Sequence, residues 1–416
     1  MAASLMADGY FIEPRLKLRD GGIEVLELDI VATPSNEQFL QKTLVEAKSG
    51  NWGFPDVFKV SGWARCLRID RGLVVHKQPL DKKKAEVIER LRLDTCVGAC
   101  HLPAASPLSP LIPCNGLSGA ERMALLSIAW FALNGQRLAL GKFTARYKGA
   151  NDKSTLEGAL AYQKACEQTL FERGALERVH GLCEAHRHTP NVTGAFMEQL
   201  ATSTAQTRLK VLYRLSDELY EPWLQHVMLV EHKARIGIIK NALDHLLNPQ
   251  ATEESFEFAG TTLRWSDMHL PPGCRMGLTA LKTHPHAVRI PYLFQMFIEV
   301  FGGFYAPRLP DELDVLSRAT GIPVPDIPDC LSLYDKFFPF DKGWFYERKD
   351  GLRCMKMIPA FVRGAGCFLR HELFGLKSYS TRYQAGRSLS EWHNSLLHFL
   401  HPELGLPDPL SLAKPS

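Results

Sequence analysis

The sequence lacks a long apolar run and a signal-peptide pattern. No stretch approaches the roughly eighteen apolar residues that a membrane helix needs, and the N-terminus shows no succession of basic, apolar and small residues. We therefore expect a cytoplasmic protein without a membrane partner.

The formal net charge is only +4, which permits a polyanionic partner without requiring one. With 416 residues and 45% hydrophobic composition, the chain has material for two or three domains.

The sequence also lacks a disulfide framework, because its ten cysteines are irregularly spaced. Most lie in apolar or helical stretches, where a reduced thiol packs as a small hydrophobic group. Residues of the types that bind zinc occur close together in one part of the sequence, at Cys96, Cys100, His101 and Cys114. The gap between Cys96 and Cys100 is not the usual spacing of a zinc knuckle, and Thr95–Cys100 has the composition of a buried strand. We favour the strand, with zinc as the alternative.

Two acids and a lysine that interrupt apolar strands carry the main functional signal. Asp29 lies in the apolar stretch Ile23–Val31, and Glu46 and Lys48 follow a second apolar segment. Side chains at positions i and i+2 of a strand share a face, so Glu46 and Lys48 project together. Asp29 can meet them from the neighbouring strand. We expect the three side chains to converge at one point.

Charged groups on buried strands are unfavourable unless a ligand or a partner compensates them. Hard carboxylate oxygens suit Mg²⁺, which usually binds through one or two carboxylates together with substrate phosphates. The alternative is an ordinary ion-pair cluster on a half-exposed sheet. We favour the metal site, because the three polar residues interrupt apolar strands instead of alternating with other polar residues, as they would on a solvated face.

This arrangement resembles the PD-(D/E)XK nuclease superfamily, the fold of many restriction endonucleases and Holliday-junction resolvases. The resemblance covers about a quarter of the chain and implies a mixed α/β sheet with flanking helices. It implies that Asp29, Glu46 and Lys48 are the catalytic residues. It also implies that Asp29, Glu46 and the backbone carbonyl of Ala47 hold Mg²⁺, for which Mn²⁺ can substitute. The predicted strands are Gly9–Glu13, the segment around Asp29, Glu46–Lys48, Arg71–Lys77 and Thr95–Cys100, with helices at Asp56–Leu67 and Asp81–Leu93.

A third acid for the metal site is left open by the sequence. Many members of the superfamily begin with a helix that supplies a further carboxylate, whereas only eight residues precede Gly9 here. A helix in that position has at most about two turns. The candidates are Asp8, Glu13 and Glu27, and a site without any of them is equally open.

Composition and periodicity divide the chain into four regions. We predict an α/β fold, with a restriction-endonuclease-like mixed sheet flanked by helices in residues 1–103. A proline-rich linker follows at residues 104–117, where prolines exclude a helix interior or a central strand. We predict a mainly helical domain at residues 118–250 and an α+β region at residues 251–416, which recognises substrate or a partner.

Local signals mark elements within the later regions. Ser118 and Glu121 have the spacing of a capping box at the start of a helix. Helical periodicity from about Ser203 onward predicts a helix that breaks near Pro222. The stretch Glu257–Trp265 has the composition of a short hairpin.

The segment from Lys336 to Arg387 is basic and aromatic. It holds eleven Lys or Arg residues against four acids, together with several Phe, Trp and Tyr residues. Basic side chains neutralise phosphates and aromatic rings accept stacked bases, so we predict nucleic-acid contacts here, at Arg348, Lys349 and Arg353 among others. The alternative, a hydrophobic core with a solvated basic rim, is about as well supported.

These observations predict a magnesium-dependent endonuclease that hydrolyses phosphodiester bonds. By resemblance the substrate is DNA, and restriction or antiviral defence is the biological setting that fold analogy suggests. A non-catalytic nucleic-acid-binding or scaffold protein with the same fold is one alternative, and an RNA-cleaving toxin is another. A protein partner and a homo-oligomer both remain open.

Overall fold

We describe a computed structural model of the chain. It describes residues 1–20, 23–48, 52–67, 69–76, 96–101, 113–119, 178–183, 217–248, 255–258, 261–271, 273–301, 304–305, 310–338, 345–347 and 353–355, with single residues between 82 and 88 and between 121 and 133. Of the predicted helix Asp81–Leu93 only single residues between 82 and 88 are described, and most of the predicted linker lies outside the described residues.

A five-stranded mixed sheet forms the N-terminal part of the fold, and each predicted strand is present. The first helix, α1 (Ala2–Ala7), leads into the sheet, and α2 (Phe54–Cys66) connects its third and fourth strands. The strands are β1 (Tyr10–Asp20), β2 (Ile23–Pro34), β3 (Thr43–Lys48), β4 (Arg71–His76) and β5 (Cys96–His101).

The strands lie in the sheet in the order in which they occur in the chain. Strands β1, β2 and β3 are successive antiparallel neighbours, as short connections allow, whereas β4 runs parallel to β3 and β5 runs parallel to β4. A parallel pair needs a crossover segment, and α2 provides it between β3 and β4. This crossover places α2 directly beside the C-terminal end of β3, where Glu46 and Lys48 lie.

Helix α2 covers one face of the sheet through a short apolar stripe. Val57, Val60 and Ala64 are buried against a cluster that includes Leu44 and Val74. The three helical residues follow the spacing of one helix face, and the opposite side of α2 is exposed. The stripe fixes the rotation of α2, so its first turn faces the end of β3.

The opposite face of the sheet shares a core with helices from later in the chain. Val45 and Val75 belong to the same buried cluster as Ile238, Phe294 and Tyr334. The elements concerned are α3 (Asp217–Leu247), α4 (Cys274–Lys282), α5 (Ile290–Gln295), α6 (Pro310–Thr320) and α7 (Ile327–Phe337). Because the core is continuous, residues 1–103 do not bury this apolar face by themselves.

The first strand is an edge strand, and a side chain covers part of its free edge. The amide of Gln295 in α5 accepts a hydrogen bond from the Ile12 backbone N–H at 2.9 Å and donates one to the Ile12 carbonyl at 2.8 Å. A single side chain thus takes the place of a neighbouring strand at Ile12 and satisfies two buried backbone groups.

The predicted break near Pro222 is wrong, because the long helix α3 continues through this residue. The helix runs from Asp217 to Leu247 and includes Pro222 near its start. Pro222 has no N–H, so the backbone hydrogen bond to the Glu218 carbonyl is missing, but the helix continues through this single gap to Leu247.

The remaining described elements agree with the mixed character expected after residue 250. The predicted hairpin is present as β6 (Ser255–Phe258) and β7 (Thr261–Arg264). A small antiparallel sheet consists of β8 (Phe304–Tyr305), β9 (Phe345–Glu347) and β10 (Arg353–Met355). The capping box is present, since the Glu121 carboxylate accepts from the Ser118 N–H at 2.9 Å. The α/β class with a mixed sheet and flanking helices is confirmed, while the division into domains stays a prediction.

Within the described part of the chain, no helix combines the length and the apolar character needed to cross a membrane.

Candidate active site

The candidate site lies where β2, β3 and α2 meet, and the structure brings Asp29, Glu46 and Lys48 together there. Asp29 of β2 accepts a hydrogen bond from the Ala47 N–H of β3, with 2.7 Å between Oδ2 and the nitrogen. Glu46 and Lys48 on β3 form an ion pair of 2.8 Å. The i and i+2 spacing thus puts both side chains on one face, beside the neighbouring acid.

Glu46 is the most buried acid of this group, with only 4% of its surface exposed. One carboxylate oxygen, Oε1, receives the ammonium groups of Lys48 at 2.8 Å and Lys59 at 3.3 Å. The other oxygen, Oε2, is buried and has no hydrogen-bond partner among the described residues. A buried carboxylate oxygen without a partner is unfavourable, so Glu46 offers one oxygen to a cation.

Two side chains of α2 complete the cluster, and neither was predicted from the sequence. Asp56 accepts from the Gly53 N–H at 2.9 Å through Oδ2, and its Oδ1 lies 3.0 Å from the Lys48 ammonium. The Lys59 ammonium also lies 4.0 Å from the centre of the Trp63 ring. The spacing of Gly53 and Asp56 is typical of a helix N-terminus. It is the one sequence signal by which Asp56 could have been identified.

The pKa values of two site residues follow from these contacts. Burial disfavours the charged form of Lys48, but hydrogen bonds to Glu46 and Asp56 outweigh it and raise the Lys48 pKa above its ordinary value. The hydrogen bond from the Gly53 N–H lowers the pKa of Asp56, and Lys48 lowers it further. At neutral pH Lys48 is therefore a fully charged donor held between two carboxylates.

Asp29 has a raised pKa, for a different reason. Burial is the largest cause, and the charge of Glu46 adds to it, while the hydrogen bond from Ala47 acts in the opposite direction. A carboxyl whose pKa is higher in the folded than in the unfolded state stabilises the fold when it is protonated. That stabilisation is lost as the pH rises through the folded-state pKa. At pH values above that pKa, where Asp29 is ionised, its charge therefore destabilises the fold.

Asp29→Asn is accordingly expected to raise the melting temperature at neutral pH, because the amide keeps an acceptor for the Ala47 N–H and carries no charge. The gain should shrink as the pH falls towards the ordinary range of an Asp carboxyl, where Asp29 itself becomes protonated. Thermal denaturation of both proteins across this pH range measures the effect. Equal melting temperatures at neutral pH would contradict the assigned cause of the shift.

The donor set suits a hard divalent cation. Asp29 and Glu46 supply carboxylate oxygens, and Ala47 between Glu46 and Lys48 supplies a backbone carbonyl. Mg²⁺ binds through one or two carboxylates plus water and phosphate, so it does not require a preformed cage. In the described part of the chain, no group of three or more His, Cys, Asp or Glu side chains forms a metal site. The partnerless Glu46 Oε2 is the observation that fits a cation.

Two of the three candidates for a further acid are engaged elsewhere. Asp8 is fully buried and forms an ion pair with Arg122, and Glu13 pairs with Arg178. Glu27 is exposed on β2. Neither Asp8 nor Glu13 is therefore free to bind a cation without giving up a buried cationic partner.

Most of the predicted basic and aromatic segment lies beyond what the structure describes. Arg348 and Lys349 belong to that part, whereas Arg353 starts β10 in the small sheet with β8 and β9, without a described side chain. Their predicted contacts with nucleic acid stay a prediction. The zinc alternative stands likewise, because Cys96, Cys100 and His101 lie on β5 without described side chains.

Comparison with family models, with curated proteins and with solved structures finds no match to this chain.

Proposed function

We propose that this chain is a metal-dependent nuclease that hydrolyses phosphodiester bonds. The observation that carries the proposal is the cluster of Asp29, Glu46 and Lys48, in which one buried carboxylate oxygen of Glu46 has no hydrogen-bond partner among the described residues. The mixed sheet supports it, because the three residues lie on adjacent strands in the order that the PD-(D/E)XK resemblance implies. With Asp56 and Lys59, three carboxylates face two ammonium groups, which leaves one net negative charge to attract a cation.

In this mechanism Asp29, Glu46 and the Ala47 carbonyl would hold Mg²⁺. Bound Mg²⁺ supplies a water of lowered pKa and offsets negative charge on the scissile phosphate. The chain itself contributes rigidity, because Asp29 is fixed by the Ala47 N–H and Glu46 is held by β3. Pre-organised ligands reduce the reorganisation that the reaction requires.

Lys48 acts as a charged donor. Its ammonium lies between Glu46 Oε1 at 2.8 Å and Asp56 Oδ1 at 3.0 Å, and these two contacts fix the direction of its remaining N–H group. An ammonium held in this way stabilises negative charge that develops on the phosphate and orients the attacking water. Asp56 positions Lys48 and ties it to the first turn of α2.

The substrate that we propose is DNA, with restriction or antiviral defence as the setting, and the later regions as the site of substrate or partner recognition. The resemblance alone carries these finer points.

An incubation experiment with purified protein tests the proposal. The substrates are supercoiled plasmid, single-stranded DNA and RNA, each with Mg²⁺, Mn²⁺ or a chelator. We expect metal-dependent cleavage of DNA. Cleavage of RNA alone would identify the RNA-cleaving alternative, and binding without any cleavage would identify the scaffold alternative.

A further inference from the structure

Lys59 of α2 occupies an unusual position between the buried acid and the solvent. Its ammonium lies 3.3 Å from Glu46 Oε1 and 4.0 Å from the centre of the Trp63 ring. Its side chain is 41% exposed, whereas the Glu46 side chain is 5% exposed. Lys59 therefore reaches inward from the surface to a carboxylate that water hardly touches.

The ammonium of Lys59 is the second one on the same carboxylate oxygen. Lys48 is closer, at 2.8 Å, and also binds Asp56 at 3.0 Å. In the described part of the chain, Glu46 is the one carboxylate with which Lys59 forms an ion pair. Lys48 is thus fixed by two acids, while Lys59 has a single ion pair, which a competing cation can break.

We propose that Lys59 is a positioning residue that neutralises Glu46 in the metal-free protein and turns outward to a substrate phosphate when Mg²⁺ binds. This inference rests on the proposed metal-dependent nuclease. A divalent cation on Glu46 repels an ammonium at 3.3 Å. The flexible stem and exposed head of Lys59 let the ammonium move without disturbing α2, whose buried stripe lies on Val57, Val60 and Ala64.

The position of the ring supports an outward path for the ammonium. Trp63 lies one helical turn after Lys59, and an indole face attracts a cation within about 6 Å. A substrate phosphate above the site offers Lys59 a new anionic partner at the moment when it loses Glu46. Metal binding and substrate binding then favour each other. The metal engages Glu46 and so releases Lys59 for the phosphate, and the phosphate engages Lys59 and so leaves Glu46 to the metal.

The first test measures Mn²⁺ binding to the protein alone, by the paramagnetic resonance signal of free Mn²⁺. Lys59→Met is expected to bind Mn²⁺ about two- to fivefold more tightly than the wild type, because a half-exposed ion pair no longer competes. Lys59→Arg keeps the charge and is expected to bind like the wild type. Arg65→Met is the matched control, since Arg65 is an exposed cation on the same helix.

The second test separates substrate binding from turnover. In the presence of Mg²⁺, Lys59→Met is expected to raise KM for DNA about three- to tenfold, with kcat within about twofold of the wild type. On a plot of log KM against log salt concentration, the slope should decrease by about one, as expected for the loss of one phosphate contact. A merely structural role of Lys59 would not combine tighter Mn²⁺ binding with a weaker interaction with DNA.

The outcomes separate this inference from the proposed function. If the wild type binds no Mn²⁺, or binds it equally well after Glu46→Gln, the metal site is wrong and the role of Lys59 falls with it. If Mn²⁺ binding depends on Glu46 but is unchanged or weaker in Lys59→Met, only the inference about Lys59 is overturned. A loss of kcat at unchanged KM also overturns it, because Lys59 would then act in the transition state.

Discussion

Replacing Glu46 with Gln is expected to lower DNA cleavage more than about a hundredfold while the protein stays folded. The substitution removes the charge that draws a cation to the site, yet it keeps the shape of the side chain and an oxygen that accepts from Lys48. The buried position of Glu46, with one oxygen lacking a partner among the described residues, makes it the ligand on which the site depends most.

The effect of Glu46→Gln on stability should differ from that of Asp29→Asn. Asp29 has a raised pKa and its charge is unfavourable for the fold, whereas Glu46 has two ammonium partners at 2.8 Å and 3.3 Å. Loss of the Glu46 charge leaves Lys59 without its ion pair. We therefore expect a higher melting temperature for Asp29→Asn and no such rise for Glu46→Gln.

Plasmid cleavage with Mg²⁺, read beside circular dichroism and thermal denaturation, measures both effects. Glu37→Gln is the matched control, because it removes an exposed acid in the connection between β2 and β3, outside the site. That control is expected to cleave like the wild type. Cleavage at the wild-type rate by a folded Glu46→Gln protein would reject the assignment of the site.

The strands and the meeting of Asp29, Glu46 and Lys48 could be predicted because they depend on local rules. Apolar runs marked the strands, and the two-residue period of a strand put Glu46 and Lys48 on one face. Antiparallel neighbours that follow each other in the chain then brought Asp29 beside them. No contact distant in the sequence was needed.

Asp56, Lys59 and the partners of the early acids could not be predicted in the same way. Asp56 and Lys59 reach the site because the apolar stripe of α2 fixes the rotation of the helix on the sheet, which is a result of packing. Arg122 lies 114 positions from Asp8, and no periodicity connects them. The sequence therefore left Asp8 open as a metal ligand, although the fold gives it another partner.

The pair of Asp8 and Arg122 leads to the largest stability effect that we expect. Asp8 is fully buried after α1, and both of its carboxylate oxygens accept from the Arg122 guanidinium, one of them at 2.9 Å. The same guanidinium donates to the Ser4 hydroxyl at 3.0 Å. Removing one member of a buried ion pair leaves the other charge uncompensated, which destabilises a protein by about 3–5 kcal/mol.

Asp8→Ala is therefore expected to lower the free energy of unfolding by about 3–5 kcal/mol, measured by urea denaturation, and to leave the affinity for Mn²⁺ close to that of the wild type. The double variant Asp8→Leu with Arg122→Met removes both charges together. It should recover much of the lost stability, because no unpaired charge stays buried. If Asp8 were a metal ligand, Mn²⁺ affinity would fall in both variants, and restoring the stability would not restore it. Recovered stability with unchanged Mn²⁺ affinity assigns Asp8 to the junction between α1 and Arg122 and leaves Asp29 and Glu46 as the acids that bind the metal.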